Sequence, residues 1–227
     1  MFLSDFRPVN HDARTLALHT DLPLAQQWTK EAIMALNLFI ANLTLKAGPT
    51  SSLHTLCEAA LNINFAYAKV PLGQRLQYAT QVLKGFHALT AIYDSAPQRF
   101  TGVTDEEARK LFPVAKFPIL PPAYAVFHGR IHFTSNYRAF SNNSTSQGFG
   151  PKCRAAMVIH ECFHVIDLPS GQKTIHISEF DEPAFSNQNP QQKIHNPSAY
   201  ASFAGQISEK TVEWPPQKRF GAGNPSQ

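Results

Sequence analysis

Apolar residues recur every three or four positions through much of the first half of the chain, a spacing that is typical of amphipathic helices. The pattern predicts one helix from Leu24 to Lys46, a second after Ser51 and a third from Gln74 to Tyr93. Residues 1–22 are mixed, contain one proline and precede another, so we expect an arm packed on the body. Together these elements predict a helical N-terminal part, residues 1–100.

The pattern changes in the second half of the chain. Alternation between Ala123 and Ser135 predicts a strand pair, or one strand bent at Gly129. The segment from Pro151 to Asp167 is apolar on nearly all sides, which predicts a buried helix. Weak alternation from Lys173 to Phe180 predicts a further strand, and a last helix is expected after Asn196-Pro197. The fold class indicated is α+β, with a small sheet beside the buried helix.

Composition and charge indicate a folded protein and do not indicate a nucleic-acid-binding one. The chain has 227 residues, of which 43% are hydrophobic and 17 are Phe, enough for a sizeable core and too many for a disordered chain. The basic residues are scattered, so the net charge of +4 does not indicate nucleic-acid binding, and Lys152 and Arg154 are expected to face solvent. We expect residues 101–213 to pack with residues 1–100 in one compact domain, and residues 214–227 to form a loop-like tail.

The chain shows no sign of a membrane span or of secretion by the general pathway. No run of about 18 apolar residues occurs, and the N-terminus lacks the basic and apolar regions of a signal peptide. The 3 cysteines do not form a disulfide framework. We therefore expect synthesis in a reducing cytoplasm, without a signal peptide.

The buried helix carries the pattern His160-Glu161-Cys162-Phe163-His164, that is, H-E-x-x-H. Residues four apart share a helix face, so the two imidazoles can bind one metal ion. Ionisable side chains on an apolar helix are costly unless they are paired or metal-bound. Zn²⁺ is the metal that best suits two imidazoles, a carboxylate and a water. Glu161 lies beside the metal as the general base for that water, which predicts hydrolysis of an amide, most often a peptide bond.

A third metal ligand has several candidates downstream of the motif, and the residues alone leave the choice open. Acidic residues and histidines follow at Asp167, Glu179, Asp181, Glu182, Glu209, Glu213, His176 and His195. Asp167 suits an acceptor for a ligand imidazole better than it suits a ligand. The acidic cluster from Glu179 to Glu182 lies where the predicted strand would return past the metal.

Two further side chains are candidates for stabilising the oxyanion of the transition state. Tyr200 has a hydroxyl that can donate to developing negative charge, and a core tyrosine is an equal alternative. His195 can do the same, or it caps the helix that follows. His128 and His132 share a strand face and are expected to be structural or next to the substrate, and residues 129–133 are expected to pair with an extended substrate.

The second half of the chain resembles the deuterolysin-like (aspzincin) zinc metallopeptidases. That family uses an Asp within an Asp-Tyr-Ala-Tyr type sequence as its third ligand, and Glu182-Pro183-Ala184-Phe185 occupies this place, with Phe180-Asp181 where the family has Gly-Thr. The segment from Asn196 to Phe203 matches the family's following helix. The resemblance implies a zincin-like fold, a Zn²⁺ cofactor and Glu182 as the third ligand, with Asp181 and Glu209 as the alternatives.

A closer resemblance is to the C-terminal metallopeptidase toxin domains of type VI secretion spike effectors, in which the third ligand is Glu. The segment from Gly148 to Val158 that leads into the motif carries this likeness. It implies an antibacterial toxin, linked covalently to a spike protein and delivered by that machine into a target cell, for instance into its periplasm. The partners implied are a protein or peptide substrate and a cognate immunity protein.

Two other functions fit the same residues. One is a non-catalytic interaction module in which a fourth protein ligand, such as His195 or His176, closes a structural metal site. The other is a zinc amidase that acts on cell-wall peptide by the same chemistry.

Overall fold

The structure of the protein is a computed structural model that describes residues 11–46, 48, 51–126, 129–139, 150–166, 175, 177 and 183–214. The α-helices are, in chain order, α1 (His11–Leu16), α2 (Leu22–Thr44), α3 (Ser52–Phe65), α4 (Arg75–Asp94), α5 (Ala96–Arg99), α6 (Asp105–Leu111), α7 (Ser135–Ala139), α8 (Gly150–His164), α9 (Ala184–Asn187), α10 (Pro190–Ile194) and α11 (Pro197–Ser208). The strands are β1 (Phe100–Gly102), β2 (Ala123–Ala125) and β3 (Ile131–Phe133). A π-helical turn, Ala17–Asp21, joins α1 to α2, and two 3-10 turns, Tyr67–Lys69 and Leu72–Gln74, lie between α3 and α4.

The three long helices of the N-terminal part form where the apolar spacing predicts them. α3 begins after Ser51, whose hydroxyl accepts a hydrogen bond from the N–H of His54 (3.2 Å). α3 ends at Ala66, which takes the left-handed conformation that closes many helices (φ 52°). The apolar face of α2 is buried, and α2 packs against both α3 and α4. These helices confirm the predicted helical part.

The described part of the expected arm, residues 11–22, does pack on the body, since Ala13 and Ala17 belong to the core, and it is helical from His11 into α2. Pro23 lies in the first turn of α2, where its missing N–H is tolerated. The wider π-helical turn comes immediately before it and lets the chain pass the proline without leaving the helix. From the sequence alone, the proline predicts a break in the helix, because a π-helical turn has no recognisable sequence pattern.

The strands form one small sheet in the order β1-β3-β2. β2 and β3 pair antiparallel, with Tyr124 opposite His132, so the strand pair is the correct one of the two predicted alternatives. β1 pairs with β3 in parallel. The sequence pattern does not predict β1, because its flanking residues continue no alternation and its partner β3 lies about thirty residues further along the chain. The strand predicted over residues 173–180 lies outside the described residues, apart from Ile175 and Ile177.

α8 is the central helix of the molecule. It packs against α2, α4, α11, the π-helical turn and β2. Its residues Val158, Ile159, Cys162 and Phe163 are buried, which confirms the predicted buried helix. The α+β class is also confirmed, since the described chain is mostly helical and β2 of the small sheet lies against α8. One core cluster contains residues from both halves of the chain, for example Trp28 and Phe203.

The C-terminal end of the described chain is packed rather than exposed. Trp214, at which the loop-like tail was expected to begin, is 4% exposed. Its ring meets the ring of Trp28 edge-on, with 5.4 Å between centroids. Residues 215–227 of the expected tail lie outside the described residues.

Candidate metal centre

The two motif histidines converge at the C-terminal end of α8. The Nε2 atoms of His160 and His164 are 3.1 Å apart, and the ring centroids are 4.9 Å apart. Both residues are partly exposed. The spacing of four residues on one helix face produces this convergence, as the sequence predicts.

This arrangement fits a zinc ion. Two imidazole nitrogens about 2.1 Å from a tetrahedral Zn²⁺ lie about 3.4 Å from one another. The observed 3.1 Å between the Nε2 atoms differs from that spacing by a few tenths of an ångström, which small rotations of the rings would absorb. The two residues can therefore hold the ion without a rearrangement of α8.

A hydroxyl group from α11 holds the ring of His160. The Oγ of Ser198 lies 3.2 Å from His160 Nδ1. When Nε2 binds a metal, Nδ1 carries the proton and donates it to this oxygen. Ser198 is fully buried, and its N–H donates to the side-chain oxygen of Asn196. Sequence reasoning missed Ser198, because a serine 38 residues from the histidine gives no local signal.

The general-base candidate Glu161 directly follows His160 on α8 and is only 8% exposed. Burial raises the pKa of its carboxyl to about 8, and a hydrogen bond from the N–H of Ala125 opposes that rise. Ala125 is the last residue of β2, so the sheet places this N–H near the carboxyl group of the motif helix. The sequence predicts Glu161 but not this backbone donor.

The third ligand cannot be placed from the described residues. Glu182, the predicted ligand, lies outside them, as do Asp181, Asp167 and His176. Within the ranges that the structure describes, no group of three or more His, Cys, Asp or Glu side chains is arranged to hold a metal ion. His160 and His164 each have a further interaction beyond their mutual contact.

Glu209, one of the alternatives for the third ligand, lies elsewhere. It follows the last residue of α11, eleven residues from Ser198, and a helix rises about 16 Å over that length. Its carboxylate pairs with Lys152, eight residues before His160 on α8. The structure therefore does not bring Glu209 to the histidine pair.

Tyr200 is a core residue, which is one of the two alternatives that the sequence leaves open. It is 1% exposed, and its ring stacks on Phe163 with 4.1 Å between centroids. Phe65 and Phe86 meet the same ring edge-on. This packing fits the core alternative, and the oxyanion role of Tyr200 stays a prediction.

His195 lies one residue before the N-cap of α11. It ends α10, and Asn196 rather than His195 caps the following helix. Burial lowers the pKa of His195. Its Nδ1 atom is buried and has no hydrogen-bond partner among the described residues. Among those residues, no hydrogen bond joins it to His160 or His164, so its catalytic role stays a prediction.

The observed sheet excludes β3 as the strand that pairs with a substrate. β3 lies between β1 and β2, so both of its edges are occupied and residues 131–133 cannot pair with a substrate. β2 has β3 as its single partner among the described strands. His132 stacks on Tyr124, with 4.9 Å between ring centroids, which is a structural role. His128 lies outside the described residues.

A buried charge pair joins α8 to the N-terminal part. Arg154 donates through Nε to the carboxylate of Asp21 (2.8 Å), and the hydroxyl of Tyr137 donates to the same oxygen (2.8 Å). The side chains of Arg154 and Asp21 are 5% and 0% exposed. The expectation that Arg154 faces solvent is therefore wrong. Its partner lies 133 residues away in sequence, where no local pattern can indicate it.

The comparisons with known proteins give no match. No protein-family model, no curated protein and no solved structure is similar to this chain. Within the described ranges, no helix combines the length and the apolar character that crossing a bilayer requires.

Proposed function

We propose that the protein is a zinc-dependent hydrolase of zincin-like fold, specifically a metalloendopeptidase that uses Glu161 as its general base. The observation that carries this proposal is the convergence of His160 and His164, whose Nε2 atoms lie 3.1 Å apart beside a buried Glu161. A protein core does not otherwise favour two imidazoles and a carboxyl group on one apolar helix.

Each residue of the site has a separate role in the proposed hydrolysis. Zinc bound by His160 and His164, with Glu182 as the proposed third ligand, would lower the pKa of a water and polarise the substrate carbonyl. Glu161 accepts a proton from the attacking water and then donates it to the leaving amine. The N–H of Ala125 favours the ionised form of the Glu161 carboxyl, which is the form that accepts the proton.

The decisive experiment measures metal content and peptide hydrolysis in the same set of variants. We expect about one zinc per chain in the wild type, and loss of zinc in His164→Ala and in Glu182→Ala. Glu161→Gln should keep the zinc and the fold but lose at least about 100-fold in kcat on an unfolded protein substrate, because only the base is removed. His19→Ala, a change at an exposed histidine of the π-helical turn, is the matched control and should alter neither quantity.

Each negative result would refute a different part of the proposed function. A wild-type protein without metal would refute the zinc site and the hydrolase with it. Zinc retained in Glu182→Ala would refute that residue as the third ligand. Zinc present together with full activity in Glu161→Gln would refute the proposed base. Zinc bound without any hydrolysis would instead favour the interaction module with a structural metal.

We propose further that this hydrolase acts as an antibacterial effector domain carried by a type VI secretion spike, with a cognate immunity protein in the producing cell. The support is the resemblance of the motif and of the segment that leads into it. Expression in a susceptible bacterium, with and without an added signal peptide, tests this proposal. Growth arrest by the wild type in one compartment, absent in Glu161→Gln, is expected, whereas release of cell-wall peptide would identify an amidase.

A further inference from the structure

Ser198 carries a hydroxyl that is fully buried. It is 0% exposed in the second position of α11. A buried hydroxyl destabilises the fold unless it has a hydrogen-bond partner. The partner of this hydroxyl is the Nδ1 atom of His160, at 3.2 Å. The buried hydroxyl of Ser198 is therefore satisfied by the imidazole of His160 on α8.

Asn196 fixes the place of Ser198. Its side-chain oxygen accepts the N–H of Ser198 (3.1 Å), which caps α11. Its amide group donates to the carbonyl of Ile177 (2.7 Å) and to the side-chain oxygen of Gln188 (2.7 Å). Asn196 is also fully buried, and both of its amide hydrogens and its oxygen are used. Every polar atom of the Asn196 side chain thus has a hydrogen-bond partner, which fixes the start of α11.

Packing between helices adds to this constraint. α11 lies along α8, so the backbone that carries Ser198 is fixed relative to the backbone that carries His160. The hydrogen bond then favours one rotation of the imidazole ring. In the observed rotation, Nε2 of His160 faces Nε2 of His164.

We propose that Ser198 is a positioning residue for the metal centre, which accepts the Nδ1–H of His160 and so keeps its Nε2 lone pair directed at the ion, and that Asn196 holds Ser198 in that place. This inference rests on the proposed function, because it requires that His160 is a metal ligand. Hydrogen-bond acceptors behind metal-binding histidines typically change metal affinity by about 10- to 100-fold when they are removed.

The test compares two substitutions of nearly equal shape. Ser198→Thr keeps the hydroxyl, and Ser198→Val removes it while adding the same bulk. Zn²⁺ dissociation constants are measured by competition with a chromogenic chelator, and the thermal unfolding midpoint of each metal-free variant is recorded. Ser202→Ala is the control, because Ser202 is buried one turn further along α11 and makes no hydrogen bond to either motif histidine among the described residues.

We expect Ser198→Val to raise the zinc dissociation constant about 10- to 100-fold relative to Ser198→Thr, with similar unfolding midpoints for the two metal-free proteins. Ser202→Ala should bind zinc like the wild type. Equal zinc affinity in the Thr and Val variants would overturn the positioning role and leave the proposed function intact. A wild-type protein that binds no zinc would overturn both.

Discussion

At the scale of single residues, the pair formed by Asp21 and Arg154 connects the motif helix to the N-terminal part. Burial raises the pKa of Asp21, while the hydrogen bonds from Arg154 and Tyr137 act against that rise. The second carboxyl oxygen of Asp21 is buried without a hydrogen-bond partner in the described chain. Removing one member of such a pair leaves the other as an uncompensated buried charge.

We therefore predict that Arg154→Met lowers the free energy of unfolding by about 3–5 kcal/mol, measured by urea titration of the metal-free protein. The double variant Asp21→Leu/Arg154→Met should recover most of that loss, because neither charge then remains buried. Lys152→Met is the control. Lys152 is also ion-paired on α8, but its side chain is 39% exposed, and its loss should cost less than about 1 kcal/mol. Equal losses in Arg154→Met and Lys152→Met would contradict the prediction.

Among the candidate site residues, the sequence predicts the proximity of those that lie close together in the chain. His160, Glu161 and His164 form one motif on one helix, and helix geometry converts their spacing into proximity. Ser198 reaches the same centre from a separate helix, and this contact depends on how α11 packs on α8. The same packing explains Tyr200, whose burial among rings from α3, α4 and α8 no pattern on its own helix could establish.

At the scale of elements, the long helices and the β2–β3 strand pair were predictable, whereas β1 and the π-helical turn were not. α2, α3, α4, α8 and α11 have enough turns for their apolar spacing to be recognised. β1 has three residues, and its parallel partner β3 lies about thirty residues further along the chain. The π-helical turn before Pro23 depends on one wider hydrogen-bonded turn, a feature that hydrophobic periodicity does not record.

β2 also presents a backbone donor, the N–H of Ala125, to the Glu161 carboxyl, and a substitution at Ala125 can test this contact. In the antiparallel pairing with β3, hydrogen bonds join Val126 to Arg130 and Thr134 to Pro122. The N–H of Ala125 therefore points away from β3 and is available to the Glu161 carboxyl. A proline at this position removes the donor without removing a bond between the strands.

We predict that Ala125→Pro lowers kcat for peptide hydrolysis by at least about tenfold, since a hydrogen bond to a charged group contributes about 1.5–3 kcal/mol. Zinc content should stay at the wild-type level. Ala125→Ser keeps the N–H and serves as the control, with kcat expected near the wild-type value. Circular dichroism and the thermal unfolding midpoint show whether the sheet is retained. A proline variant with wild-type kcat would show that this donor does not position Glu161.

At the scale of the whole molecule, the end of the described chain is bound into the core through α11. The side-chain amide of Gln206 donates to the carbonyl of Trp214 (2.9 Å) and accepts from Asn64 (2.7 Å). The indole ring of Trp214 lies directly over Gly205, where an added Cβ would be 1.8 Å from its Nε1 atom. α11 thus contacts His160 of the candidate metal centre at its first turn and holds the C-terminal segment near its last.

This close approach predicts that Gly205→Ala is destabilising, although alanine is intrinsically better than glycine inside a helix by about 1 kcal/mol. The added methyl group must displace Trp214, so we expect a net loss of about 1–3 kcal/mol in the free energy of unfolding, together with a red shift of tryptophan emission. The variant Trp214→Phe identifies the emission of Trp28, and Gly73→Ala, where a Cβ would meet nothing within 4 Å, controls for the change of residue. Stabilisation by Gly205→Ala would mean that Trp214 does not occupy this position in solution. Unchanged zinc affinity in the same variant would show that the two ends of α11 act independently.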